Sequence, residues 1–185
     1  MIVHFGFVII WMLVDSVLMQ LFPNSYLVDQ LMFFSQLGFC AMILTIRKFS
    51  LLDSILFTFL CGFLFDFCFA NMYLLHAFVY VLLALLVRIW SKYMDDTMIE
   101  SIVLAIVTIF VKDVVIYFHM CLQRQYILNF ISWVQRYELK SILIAIVGMI
   151  VVYYFYQLKE DYIDRKAQAL RKGEKVEWFR LQSKD

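Results

Sequence analysis

An all-α integral membrane fold, six transmembrane helices in one bundle with both termini cytoplasmic, is predicted by three observations. Of 185 residues, 64% are hydrophobic and only 17% are charged, against about 45–50% and about a quarter in soluble domains. A single proline interrupts the chain, leaving apolar runs near the roughly 20 residues that cross a hydrocarbon core about 30 Å thick. Lys and Arg are unevenly shared between the segments separating those runs. A water-soluble globule of this composition would expose large apolar patches. The net charge of +1 argues against a basic nucleic-acid binder, the apolar content argues against disorder, and membrane barrel strands would show dyad alternation instead.

The first window, Ile2–Phe22, has no basic residues ahead of it, and Asp15 interrupts it before any small-residue cleavage site. It is expected to be a retained span, not a cleaved signal. Phe22-Pro23-Asn24-Ser25 reads as a turn, because proline cannot continue the helical ladder, and Leu27–Ile46 forms the second window. Arg47-Lys48-Phe49-Ser50 separates it from Leu51–Ala70. Asn71 alone stands before Met72–Trp90, which forces an antiparallel hairpin. Ser91 to Asp96 leads to Ile99–Leu122, and Leu139–Leu158 is the sixth window. Residues 1–158 are thus the bundle and 159–185 a charged cytoplasmic tail, expected to extend the last helix with Asp161 and Arg165 paired at i,i+4. Gln123 to Glu138 is expected to be an amphipathic helix in the outer interface or a partly buried loop.

Orientation follows from the basic residues. With the N-terminus inside, Arg47, Lys48, Arg88, Lys92 and the tail face the cytoplasm, leaving Arg124, Arg136 and Lys140 outside and Lys112 within a span. Cys40, Cys61, Cys68 and Cys121 are scattered singly with no C-x-x-C, as expected for small buried hydrophobes.

An ionisable group inside a span costs about 2.5–3.5 kcal/mol on insertion scales, so each one needs a reason. Asp15, Asp66 and Asp113 lie 13, 15 and 14 residues after the starts of their outward-running windows, roughly 20 Å deep at 1.5 Å per residue. With Asp29, His76 and Lys112 they form an expected outer-half polar cluster; His119 is a further histidine in a span. Ser54, Thr58, Gly62 and Asp66 repeat at i,i+4 in the third window, and Ser101, Ala105, Thr108 and Lys112 share a face of the fifth. Such small or polar stripes suit close helix packing or a partner helix. The two spans are expected to pack along them with Asp66 neutralising Lys112. Asp113, about 100° around the helix from Lys112, is not expected to pair with it. No zinc-binding, G-x-S-x-G, Walker or kinase pattern is present, so neither enzyme activity, a metal nor a cofactor is expected.

One segment is more specific. Leu56 to Leu85, LFTFLCGFLFDFCFANMYLLHAFVYVLLAL, resembles the hallmark region of the bacterial rod shape-determining MreD family. Gly62 and Asp66 match the family's G-x-x-x-D element, Asn71 its polar turn, and Leu74-Leu75-His76-Ala77 the opening of its next span. Asp113, Phe118, the Pro23 turn, the length and the charged tail also look like the family. Thr58 and Leu75 stand where family members frequently have glycine. The resemblance implies a non-enzymatic scaffold of the wall-elongation machinery in the bacterial plasma membrane, maintaining cell shape. It would bind an MreC-like bitopic protein and link MreB filaments to peptidoglycan synthesis near RodA and a class B penicillin-binding protein. The rival reading is the substrate-binding S component of an energy-coupling-factor vitamin transporter. Such components are small six-helix proteins whose general architecture the MreD family is thought to share, and they would turn the outer cluster toward a ligand.

Overall fold

The computed structural model describes residues 2–21, 35–70, 74–95, 97–123 and 129–182, and these are helical with short connections and no strand. Helix α1 is Ile2–Leu21 and α2 Leu37–Ile46. Helix α3, Leu51–Phe65, widens into a π-helical stretch at Asp66–Ala70, and α4 is Leu75–Ser91. After α5, Met98–Leu122, the short α6 (Phe130–Trp133) passes through a second π-helical stretch, Val134–Glu138, into α7, Leu139–Gln182. Among the described residues, four helical runs are long and apolar enough to cross a membrane: Val3–Leu21, Leu51–Cys68, Met98–Leu122 and Phe130–Ala169.

The windows predicted for the first, third and fifth spans coincide with helices. For the second and fourth, the expected starts Leu27 and Met72 lie outside the described residues, and helix is described from Leu37 and Leu75. Helix α2 is described from Leu37, and its 10 residues cover about 15 Å. Positions 22–34, including Pro23 and Asp29, lie outside the described residues. Helix α4 begins at Leu75 after Leu74 turns left-handed (φ 56°), and Asn71 also lies outside the described residues. From Phe130 onward, the segment expected to be an interfacial amphipathic helix or a partly buried loop is helical and runs continuously into α7.

Packing explains why α2 is short yet central. Gly38 to Ile46 are all buried, the mark of a helix that is apolar all round because neighbours surround it. Helix α1 packs on α2, α3 on α4, α2 on α7, and α5 on α7 and α4. Met42, Ile43, Leu83, Leu104, Ile109 and Met149 are sealed where these helices meet. Outward, α4 exposes Phe78, Leu82, Leu85 and Ile89, and α1 exposes Val3, Ile10, Leu13 and Val17. These apolar stripes suit a lipid surround better than water.

The expected partnership of the third and fifth spans is not the one formed. Helix α3 makes its interface with α4. Gly62 is required there, since a Cβ on it would stand 2.5 Å from the Ala77 Cα. Ser54, Thr58, Ser101, Ala105 and Thr108 are buried. The Thr58 and Thr108 hydroxyls donate to carbonyls one turn back, at Ser54 and Leu104, over 2.8 Å. Both stripes therefore pack within this chain, the threonine hydroxyls satisfied by their own helices and the Ser54 hydroxyl by the Ile46 carbonyl at the end of α2.

One end of the molecule collects charge. Arg47 donates to Ser101 Oγ and the Asp95 carbonyl (both 2.8 Å), and Arg88 to the Phe49 carbonyl (3.2 Å). Lys48 and Lys159 each lie 3.0 Å from the Glu160 carboxylate, and Lys159 Nζ stands 2.9 Å from His4 Nδ1. At this end the helices start from local caps. The Asp53 and Glu100 N–H groups donate to Ser50 Oγ and Thr97 Oγ1, each over 3.3 Å, satisfying orphan donors of α3 and α5.

Candidate functional site

Helix starts are also where the buried acids act. Neither α2 nor α4 has a side-chain cap at its own N-cap residue, Gln36 or Leu74. Their free N–H groups are buried, where an unpaired donor costs about 1–3 kcal/mol. In both cases the preceding helix supplies the acceptor. Asp15 of α1 receives the Leu37 N–H on Oδ1 (2.9 Å) and the Gly38 N–H on Oδ2 (2.7 Å), and the Ser35 hydroxyl also donates to Oδ1. Asp66, at the end of α3, receives the Ala77 N–H on Oδ2 (3.0 Å) and His76 Nδ1–H on Oδ1 (2.7 Å). A carboxylate at a helix N-terminus also meets the positive end of the helix dipole. Small residues allow the approach: a Cβ on Gly38 would lie 2.7 Å from Met12 Cγ, one turn before Asp15.

This geometry gives the G-x-x-x-D element a physical meaning. Gly62 admits the first turn of α4 against α3, and Asp66, one turn later, caps that same turn. The expected Asp66–Lys112 pair is replaced by Asp66–His76, because α4, not α5, packs on α3.

Lys112 belongs to a second group, built around Gln36. Its ammonium donates to Gln36 Oε1 (2.7 Å) and lies 3.2 Å from Asp113 Oδ1 and 4.8 Å from the centre of the Phe39 ring. Gln36 Nε2 in turn donates to Asp113 Oδ2 and Ser141 Oγ, both at 3.0 Å. Lys112 and Asp113 thus do pair, against expectation. Their Cβ atoms diverge by a helical step, but the four-carbon lysine stem swings the ammonium back to its neighbour. Of the predicted outer cluster, Asp15 joins this group through the adjacent Ser35 and Gln36, while Asp66 and His76 form a separate pair. Asp29 lies outside the described residues.

Ser35, Gln36, Ser141 and Glu138 were missed from sequence, and all four are buried. Ser35-Gln36 was legible as two adjacent polar residues inside an apolar window. Ser141 stands three residues after Glu138, on the same side of the final helical run. Among the described residues, no group of three His, Cys, Asp or Glu is placed to hold a metal ion.

A cavity of about 320 Å³ opens at the charged end, lined by residues that include Arg47, Lys48, Ser101, Tyr153, Tyr156 and Glu160. Burial works against the Lys48 ammonium, but the hydrogen bonds and charge attraction of Glu160 and Tyr156 together outweigh it and hold its pKa above the ordinary 10.5.

Fold and site together define an all-α protein with several helices long and apolar enough to cross a membrane, tied internally by carboxylates that cap helices in trans. No family model, curated protein or solved structure matches the chain.

Proposed function

We propose that this chain is a non-enzymatic scaffold of the bacterial cell-wall elongation machinery. It would span the plasma membrane six times, with both termini cytoplasmic. The observation that carries the reading is the unit formed by Gly62, Asp66 and Ala77 within Leu56–Leu85. The residues by which this segment resembles the MreD family are the ones that join α3 to α4. The collection of Arg47, Lys48, Arg88 and Lys159 at one end, beside the first turn of α1, supports the orientation under the positive-inside rule. In this reading the chain docks the single transmembrane helix of an MreC-like bitopic protein and works beside MreB, RodA and a class B penicillin-binding protein. The exposed apolar stripes of α1 and α4 offer faces for such a helix, since the small-residue stripes are already buried.

The rival, a vitamin-binding S component, needs polar groups turned toward a ligand. Gln36, Lys112 and Asp113 are instead bonded to one another, and Asp15 to Ser35 and the first turn of α2, which favours the scaffold. Affinity capture of the tagged full chain, co-expressed with an MreC-like bitopic protein, tests the choice. Retention of that protein, reduced by Phe78→Asn or Leu13→Asn with folding intact, is expected. A tight vitamin complex with no bitopic partner retained would overturn the reading.

A further inference from the structure

Glu138 is 2% exposed, and its Oε1 has no hydrogen-bond partner. Buried polar groups are nearly always paired, so each exception asks for an ion, a water or a function. The residue closes the π-helical stretch Val134–Glu138, where α6 runs into α7. π-helical turns are rare and recur at functional sites.

The charged groups facing it sharpen the question. Asp113 and Lys112, both on α5, act on it electrostatically, and Arg136 and Lys140 are its neighbours on its own helical run. Lys112 is already committed to Gln36 and Asp113. Asp15 has its three donors and Asp113 has Lys112 and Gln36. Glu100 Oε2 and Glu160 Oε1 also lack a hydrogen-bond partner, but Glu160 has Lys48 and Lys159 within 3.0 Å and both acids lie at the charged end. Beside the Lys112–Asp113–Gln36 group, Glu138 is the described acid with an unfilled oxygen, next to another carboxylate. A buried carboxylate in that position requires one positive charge from outside the chain.

We propose that Glu138 is an exchangeable monovalent-cation site, occupied by a proton or an alkali ion, set against the Lys112–Asp113–Gln36 group. A larger organic cation does not suit an acid so enclosed. The occupant neutralises Glu138 and thereby sets the charge balance where α2, α5 and α7 meet. The inference does not depend on the scaffold reading, because its readout is the purified chain alone.

The test is thermal unfolding of the full chain in detergent micelles, followed by tryptophan fluorescence. One arm titrates sodium chloride against choline chloride at constant ionic strength, and the other varies pH. Wild type is expected to show a saturating, one-site change in Tm in one arm, and that arm names the occupant. Glu138→Gln, which supplies the neutral shape without the charge, is expected to abolish the change while remaining folded. Infrared difference spectra of the wild type, with and without sodium and across pH, need no variant. A protonated-carboxyl band should disappear as sodium binds or as pH rises. Wild-type Tm and spectra insensitive to both ions, or a Glu138→Gln protein that keeps the wild-type response, would overturn the proposal.

Discussion

Replacing Asp15 by alanine removes the acceptor for three donors, the Leu37 and Gly38 N–H groups and the Ser35 hydroxyl. Hydrogen bonds to a charged group contribute about 1.5–3 kcal/mol each, and a buried donor left unpaired costs about 1–3 kcal/mol. These contributions share one carboxylate and do not add, so the expected loss is about 3–5 kcal/mol, the range found when one partner of a buried charged set is deleted. Asp15→Asn keeps one acceptor oxygen but turns an NH2 toward the second N–H, so about half of that loss is expected. Ser35→Ala removes a single bond and should cost about 1 kcal/mol. The assay is equilibrium unfolding in mixed micelles as the denaturing-detergent fraction rises, with amide exchange read at Leu37 and Gly38. Faster exchange should be concentrated at the first turn of α2. An alanine variant costing less than about 1 kcal/mol, or exchange raised evenly along α2, would refute capping in trans.

The other predictions concern pairs of helices. In a double-mutant cycle in the same unfolding assay, Asp66→Asn and His76→Ala should couple by about 1 kcal/mol or more, whereas Asp66→Asn and Lys112→Met should add within about 0.5 kcal/mol. Gly62→Ala must push α4 off α3, because the added Cβ meets Ala77 and His76 backbone atoms at 2.5–2.8 Å. It should cost about 1–3 kcal/mol or more, while Gly6→Ala, with nothing within 4 Å, should be neutral or slightly stabilising in the same assay. Lys48→Met should cost less than about 1 kcal/mol, because the pair with Glu160 is half exposed on the lysine side. As the folded pKa of Lys48 is raised, its contribution is complete below the ordinary 10.5 and disappears as pH rises through the folded value. Unfolding measured at neutral and strongly alkaline pH, in low and high salt, checks both dependences.

What could be read in the residues follows a physical line. Helices α1, α3 and α5 were legible because length and hydropathy are local properties. The caps of α3 and α5 are local too, Ser50 with Asp53 and Thr97 with Glu100, but the reading of the residues did not use them. The starts of α2 and α4 were not legible, because no local residue decides them. Hydropathy continues back to Leu27, yet α2 starts where Asp15 receives its N–H groups, 22 and 23 residues away in sequence. Helical spacing put Asp66 and Lys112 on the small-residue faces, both of them buried, but could not say which helix each face meets. Glu138 escaped notice because it fell at the edge of the sixth window, in a segment expected to lie in the interface or to form a partly buried loop.

An ionisable residue in an apolar helix is commonly taken for a working residue, and here most of them do another job. A helix that begins inside a packed apolar body presents N–H groups that no water reaches. A carboxylate is the most economical remedy, since one side chain accepts several donors and meets the positive helix end. Asp15 and Asp66 are explained by this need alone. The consequence extends beyond α1 and α2, because Ser35 and Gln36 are adjacent: the residue that completes the Asp15 cap is followed by the one holding Lys112, Asp113 and Ser141. Moving the start of α2 by one residue would withdraw the Gln36 amide from α5 and α7 together. The first turn of α2 is therefore the joint through which α1, α5 and α7 hold one another in register. Glu138, a buried acid that neither caps a helix nor pairs with a lysine in the structure, is the residue left for a role beyond the fold.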